Sequence, residues 1–599
     1  MTRGEFEVES AATREGLPVA TAAGPLLAEA RVPLERSLIN KRVVLLCAWS
    51  VVLAVMTGFV AQALVRIIGL VTNIAFYHHW SFAFVSPAEH HLGKLVIIVP
   101  VIGGIIVGIM ARYGSKAIRG HGIPEAMEQV LLNESRIPAR VTFLKPLSAA
   151  FSIGTGGPFG AEGPIIATGG ALGSLLGQIF KTNATERKTL LAAGAAAGMA
   201  ATFGSPVSAV LLAIELLLFE FRPRSIIPVA LASAVATAVR MFYAGTEPIF
   251  AMPLLARPSG EALATYTVVG ALVGYLSIYV TRAVYWIEDL FEHLPIHWMW
   301  WPAIGGVAVG VVGYFAPHTL GVGYDNIEGM VTGRIFGEAV FFLCLLKFVS
   351  WVIALGSGTS GGTLAPLFTI GGGCGVVLGE LAAVAFPRFH IDPRICALVG
   401  MAAMFAGASR ALLASVVFAF ETTLQPLGLL PLLGGCTAGY LVSALLMRNT
   451  IMTEKLARRG VRVPAEYAAD FLDQISVAVA CTRDVIALRE DQTAADVHDI
   501  VATHQGFPVV DANGNLLGVV TRRDFIDAAP STPVRDLIRR SPAVVYLDSS
   551  LRDAADQMVR ENVGRLPVVE RKNPRRLAGF ITRSDLLSAH ARRLEESGG

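Results

Sequence analysis

Ten apolar runs follow one another between Val43 and Leu446, at 43–76, 95–111, 190–219, 226–239, 262–286, 302–315, 336–355, 374–386, 395–420 and 427–446. No other feature constrains this chain so strongly. Apolar residues make up 53% of it and charged residues 16%, against about 25% charged in soluble domains, so the runs require a membrane. Several fall short of the roughly 20 residues that cross a bilayer as a helix. Some helices must therefore stop partway, and irregular backbone at that depth is tolerated only where protein or a wet cavity surrounds it.

The ends differ from the middle. Residues 1–41 carry acids, prolines and arginines with no apolar stretch, so no cleavable leader is expected and the segment is read as cytosolic. Arg458, Arg459 and Arg462 mark a cytoplasmic membrane exit. Beyond them "QGFPVVDANGNLLGVVTRRDFI" (505–526) parallels "VGRLPVVERKNPRRLAGFITRSDLL" (563–587), each a Pro-Val-Val strand, a turn, a second strand and Thr-Arg-x-Asp opening a helix. Such a Thr-x-x-Asp is in any case a capping box. The six cysteines show no metal or disulfide spacing, and a net charge of +3 offers nothing to a nucleic acid.

The membrane part is itself repeated. "GTGGPFGAEGPIIATGGALGSLLG" (154–177) returns loosely as "GTSGGTLAPLFTIGGGCGVVLG" (358–379), "GMAATFGSPVSAVLLAIE" (198–215) as "GMAAMFAGASRALLASVVFAFE" (400–421), and "GHG" at 120 as "GVG" at 321, with offsets of 201 to 204 residues. Two like halves follow, of the kind that transporters invert about an axis in the membrane plane, with the substrate held where helices break between them.

Three of the repeated segments hold a glycine just before a proline-marked helix start: "GHGIPE" (120–125), "GAEGP" (160–164) and "GTLAP" (362–366). Proline suits the first turn because its missing N–H has no helical partner there. Each start leaves unpaired N–H groups and a partial positive charge, which cradle an anion for up to about 2 kcal/mol when partly buried. Three converging starts bind a halide-sized ion without a fixed charge and still release it. Glu162, inside "GAEGP", brings a carboxylate to the same place. It can occupy an anion position as an internal competitor that protonation removes, or it can be an ordinary acid at a helix start.

Together these stretches resemble the CLC family of chloride channels and chloride/proton antiporters, and the C-terminal copies resemble a CBS pair. The family's Gly-Ser-Gly-Ile-Pro stands here as "GHGIP", Gly-Lys/Arg-Glu-Gly-Pro as "GAEGP" and Gly-x-Phe-x-Pro as "GTLAP". The resemblance implies a gating role for Glu162. It implies an anion site around His121, Gly122, Ile123, Gly163, Pro164, Thr363, Leu364, Ala365 and Met452, and a homodimer with one pore per subunit. For the CBS pair it implies adenine nucleotide contacts at Thr521, Asp524, Thr582 and Asp585. No cofactor is required, and no metal site is expected.

Three positions depart from the family pattern. His121 replaces the serine whose hydroxyl touches the anion; an imidazole donates one N–H when neutral and adds charge when protonated, or it turns aside to the backbone. Met452 stands at the place of a pore-lining tyrosine, exchanging a hydroxyl for a weakly accepting thioether. At the inner proton-relay position, where antiporters of the family carry two successive glutamates, Glu215 is followed by Leu216. Leucine cannot carry a proton.

The expected architecture is an all-α polytopic membrane domain of two inverted repeats with broken helices, plus a cytosolic α/β CBS pair. Its parts are an N-terminal segment (1–41), the membrane domain (42–450), a linker (451–474), CBS 1 (475–530) and CBS 2 (531–595). The expected function is a voltage- or proton-gated anion channel rather than an enzyme, in a plasma (inner) membrane with both termini cytoplasmic. Its partners are chloride or another small anion, protons and lipid. The alternative is anion/proton exchange, for chloride or fluoride, through the same site. Two further readings are an intramembrane metal centre in "YHHWSFAFVSPAEHH", which lacks the H-E-x-x-H spacing, and a nucleotide sensor for which the membrane part is only an anchor.

Overall fold

In the computed structural model, residues 41–253, 255–461, 463, 472 and 475–589 are described, and they fall into two compact units, 41–463 and 472–589. Residues 1–40 and Arg462 lie outside the described set.

The membrane unit is helical throughout. Its first half contains α1 (Lys41–Thr72), α2 (Ile98–Ile109), α3 (Ile123–Leu132), α4 (Ala139–Gly154), α5 (Glu162–Ile179), α6 (Ala184–Phe203), α7 (Pro206–Ala213) and α8 (Pro223–Ala244). The second contains α9 (Gly260–Glu292), α10 (Trp301–Phe315), α11 (Tyr324–Thr332), α12 (Glu338–Gly356), α13 (Leu364–Ala385), α14 (Pro393–Ser409), α15 (Leu412–Thr423) and α16 (Leu429–Leu446). Among the described residues, eight helices are long and apolar enough to span a bilayer.

Two long apolar runs prove to be pairs of helices. The run at 190–219 breaks at Gly204 and Ser205, and the run at 395–420 breaks at Arg410, both Gly204 and Arg410 with positive φ. Conversely, α4 and α5 belong to none of the ten runs. Lys145 and Pro146 interrupt the apolar pattern of α4, and glycines dilute that of α5.

Those glycines are packing devices. A Cβ on Gly173 would lie 2.0 Å from the Leu190 carbonyl oxygen and one on Gly169 2.1 Å from that of Gly194, so α5 and α6 touch backbone to backbone. The second half repeats the contact: Gly375 would meet the Cys396 oxygen at 2.0 Å and Gly371 that of Gly400 at 2.5 Å, joining α13 to α14. Small residues stand in at membrane helix interfaces because lipid gives helices no hydrophobic reason to associate, and close approach maximises dispersion contacts.

The expected linker is partly structured. After Leu446 the chain forms α17 (Glu454–Arg458), which is pinned to the membrane unit by Lys455–Glu125 at 2.7 Å and by Arg458–Asp289 and Arg459–Glu128. The membrane unit therefore extends past residue 450.

The second unit holds two three-stranded sheets of identical topology. β1 (Leu488–Arg489), β2 (Gly506–Val510) and β3 (Leu516–Thr521) form one; β4 (Val545–Tyr546), β5 (Arg565–Glu570) and β6 (Asn573–Thr582) form the other. In each the first pair is parallel and the second antiparallel, with Val509 opposite Gly518 and Val568 opposite Gly579. The two copies exchange segments, because Val477 packs in the core of the second copy while Val534 packs in the core of the first. Each core thus recruits a segment from across the predicted border. Both copies start a helical turn on a capping box, Thr521–Asp524 and Thr582–Asp585.

Candidate anion site

The three interrupted starts meet. The Gly120 N–H donates to the Thr359 oxygen at 2.9 Å, and Gly160 and Gly362 exchange backbone bonds of 3.2 and 2.9 Å in an antiparallel bridge, as a two-fold relation between the halves produces. A Cβ on Gly163 would lie 2.0 Å from the His121 oxygen, and one on Gly122, at φ +97°, 2.4 Å from the Gly163 oxygen. The N-termini of α3, α5 and α13 are therefore held backbone against backbone, at an approach only glycine allows. Prolines 124, 164 and 366 stand at the second or third residue of these helices, within the first turn.

Glu162 is 1% exposed. Its Oε1 accepts the Tyr324 hydroxyl at 2.9 Å, while Oε2 is buried with no hydrogen-bond partner. A Cβ on Gly160 would lie 1.6 Å from that oxygen and one on Gly362 3.0 Å, so the side chain folds back over the glycines of both halves. The Ala365 N–H on α13 faces the carboxylate, and the Lys347 ammonium acts on it from α12. A carboxylate thus occupies the place where N–H donors from two half-helices converge. That is the chemistry of a built-in anion.

His121 is buried, and its Nδ1 has no protein partner. Ile123, Gly163, Pro164, Thr363, Leu364 and Ala365 are all buried around the junction. Gly122 corrects the expectation, because its amide is consumed by the Glu125 carboxylate at 2.7 Å, and Glu125 is held in turn by Lys455. The acid closes a capping box at the start of α3, so the amide of Gly122 is not free for an ion. Met452 is fully buried in the apolar core, and the neighbouring Ile451 oxygen accepts the Tyr285 hydroxyl at 2.8 Å.

Two buried lysines have no counterpart in the sequence reading. Lys145 donates to the oxygens of Ile118 and Gly120, each at 2.8 Å, and Lys347 to those of Thr319 and Gly321 at 2.9 and 2.7 Å. They sit 202 residues apart and tie the same turn in each half, before α3 and before α11. Tyr324, Glu125 and Glu421 were missed as well. The "GVG" repeat at 321 pointed to the residue after it, but its partner in the first half is Ile123, which signals nothing polar.

The inner relay position takes a structural form. Glu215 accepts the Leu413 and Ala414 N–H groups, each at 3.0 Å, at the start of α15; Glu421 accepts those of Val207 and Ser208, each at 2.9 Å, at the start of α7. Each half caps the other. Glu215 and Leu216 also line a cavity of about 1020 Å³ shared with Arg410, Tyr440, Arg448 and Thr450. Among the described residues, no group of three or more His, Cys, Asp or Glu side chains is placed to hold a metal, and the histidine-rich loop provides none.

In the second unit Asp524 and Asp585 each use one oxygen for their capping box, and the other oxygen of Asp524 pairs with Arg539 at 3.0 Å.

Comparison with known proteins agrees with this geometry. The family model for the voltage gated chloride channel matches residues 102–444, and the CBS domain model matches 475–531 and 534–592. The H(+)/Cl(-) exchange transporters ClcA of Salmonella arizonae and Salmonella paratyphi B are each 29% identical over 435 residues, covering 70% of this chain and 89% of theirs. A slow cyanobacterial Cl-/H+ antiporter (22% identity, TM-score 0.63, 70% of this chain and 98% of that one) shares the fold. So do a eukaryotic CLC transporter (21%, 0.58, 90% and 97%) and a CLC-type fluoride/proton antiporter (22%, 0.57, 68% and 97%). With its two glycine-jointed halves, its convergent helix starts and its matched length, the chain is a multi-pass membrane protein of the voltage gated chloride channel (CLC) family that carries a CBS pair.

Proposed function

We propose that the protein exchanges a small anion, chloride in the first instance, for protons, with Glu162 as the plug that alternately competes with the anion and takes up a proton. The observation that carries this reading is the buried Glu162 carboxylate lodged where the starts of α5 and α13 converge, with one oxygen unpartnered. Ionised, it fills the anion position; protonated, it loses its attraction for helix N-termini and leaves the position to a halide. The relatives that transport H(+) and Cl(-) favour exchange over the channel mode expected from Leu216. A channel remains the second reading on one observation. Leu216 is buried and Glu215 is engaged as a cap, so neither is a ready proton carrier.

We further propose a homodimer in a plasma membrane with cytoplasmic termini, and an adenine nucleotide bound between the CBS copies. Asp585 is the better ribose ligand, because Arg539 already engages the free oxygen of Asp524. The deciding experiment places purified protein in liposomes under a chloride gradient and records proton movement. Uphill proton transport establishes exchange, whereas chloride flux without it establishes the channel.

A further inference from the structure

The hydroxyl of Tyr324 is the one hydrogen-bond donor from a side chain that reaches Glu162 among the described residues, at 2.9 Å. It comes from the first residue of α11, the short helix that matches α3 in the other half, where Ile123 stands at the equivalent place. The two halves therefore differ at the residue that touches the plug.

The ring is held on three sides, with centroids of Phe203, Phe250 and Phe84 at 6.0, 5.8 and 6.5 Å. Glu162 is buried, whereas Tyr324 is half-buried and lines a crevice of about 20 Å³ with Phe84, Ser86 and Asp325. The phenol thus stands between the carboxylate and a crevice large enough for a water molecule. Charged groups near the pair are Lys347, which acts on Glu162 from α12 while bound to the Thr319 and Gly321 oxygens, and Asp325, exposed beside Tyr324 on α11.

We propose that Tyr324 is the positioning residue of the plug, its hydroxyl holding ionised Glu162 in the anion site and so setting the pH at which the plug lets go. The inference rests on Glu162 being the gate. A hydroxyl donates to a carboxylate more strongly than to the neutral acid, so the bond favours the ionised, seated form. A charge-assisted bond of this kind is worth a factor of about 10 to 100 in the ratio of seated to released carboxylate. Removing it raises the pH of half-release by about one to two units.

Tyr324→Phe keeps the ring and its aromatic cage and deletes only the donor. Chloride flux from liposomes is measured against pH for the full-length protein, Tyr324→Phe, Glu162→Gln and the double variant. The expected result is a midpoint one to two units higher in Tyr324→Phe and no additional effect of the phenylalanine once Glu162 is glutamine. An unchanged midpoint, or the same change persisting in the Glu162→Gln background, overturns the proposal. If Glu162→Gln alone leaves the pH profile intact, the gate reading itself fails and this inference goes with it. A second measurement, the infrared carboxyl stretch of Glu162 titrated in detergent, needs no transport; its midpoint must move upward in Tyr324→Phe, and a fixed midpoint refutes the role.

Discussion

Glu215 immediately precedes Leu216, the position at which a proton relay was expected from the sequence, and its carboxylate is occupied by two backbone N–H groups of the opposite half, as Glu421 is in return. The two carboxylates are 206 residues apart, as are the amides they cap. This reciprocity predicts that the two acids are structural equals. Hydrogen bonds to a charged group contribute about 1.5–3 kcal/mol each. Glutamine keeps one acceptor and turns an N–H₂ toward the second amide, so one bond is lost and the other becomes neutral. Glu215 is only half-buried, and Leu413 and Val207 are 49% and 55% exposed, so water recovers part of the loss. A net cost of about 2 kcal/mol per substitution follows. Thermal unfolding in detergent of Glu215→Gln and Glu421→Gln should show similar destabilisation, and flux in liposomes should show an unchanged ratio of protons to anions in both. If Glu215→Gln abolishes proton movement while Glu421→Gln preserves it, Glu215 carries protons and the capping argument is wrong.

Three other outcomes are expected. Glu162→Gln, a mimic of the protonated plug, should raise anion flux at neutral pH and flatten its acid activation, and retention of the full pH dependence in liposome efflux would count against the gate. His121→Ser should change the order of halide permeation, because the buried imidazole presents an unpartnered Nδ1 beside the α3 start; anion competition assays showing the same order would mean that the ring takes no part in selection. Gly173→Ala and Gly375→Ala should each destabilise the membrane unit by about 1–3 kcal/mol through overpacking, since the new Cβ would lie 2.0 Å from a carbonyl oxygen in either case. A normal melting profile for either variant would show that the paired helices separate more easily than their contact implies.

Much of the architecture was legible because membranes restrict backbone so severely. Apolar runs, glycine before proline and a repeat of about 200 residues leave few folds in which every buried N–H and C=O is satisfied. The place of Glu162 was legible for the same reason, since a carboxylate in a broken, repeated segment has little to meet except helix ends. The tandem strands of the CBS pair followed from period and turn chemistry, although the exchange of segments between their cores did not.

Which side chains meet across the two halves was decided only in three dimensions. Tyr324 lies 162 residues from Glu162, Glu421 lies more than 200 from the amides it caps, and Glu125 takes an N–H that its own motif had suggested for the anion. Local sequence determines where a helix can start and which N–H groups it leaves unpaired. Whether those groups meet an ion, a carboxylate or a phenol depends on which turn of the other half is packed against them, and that is a property of the pseudo-symmetric packing, not of any one stretch of chain.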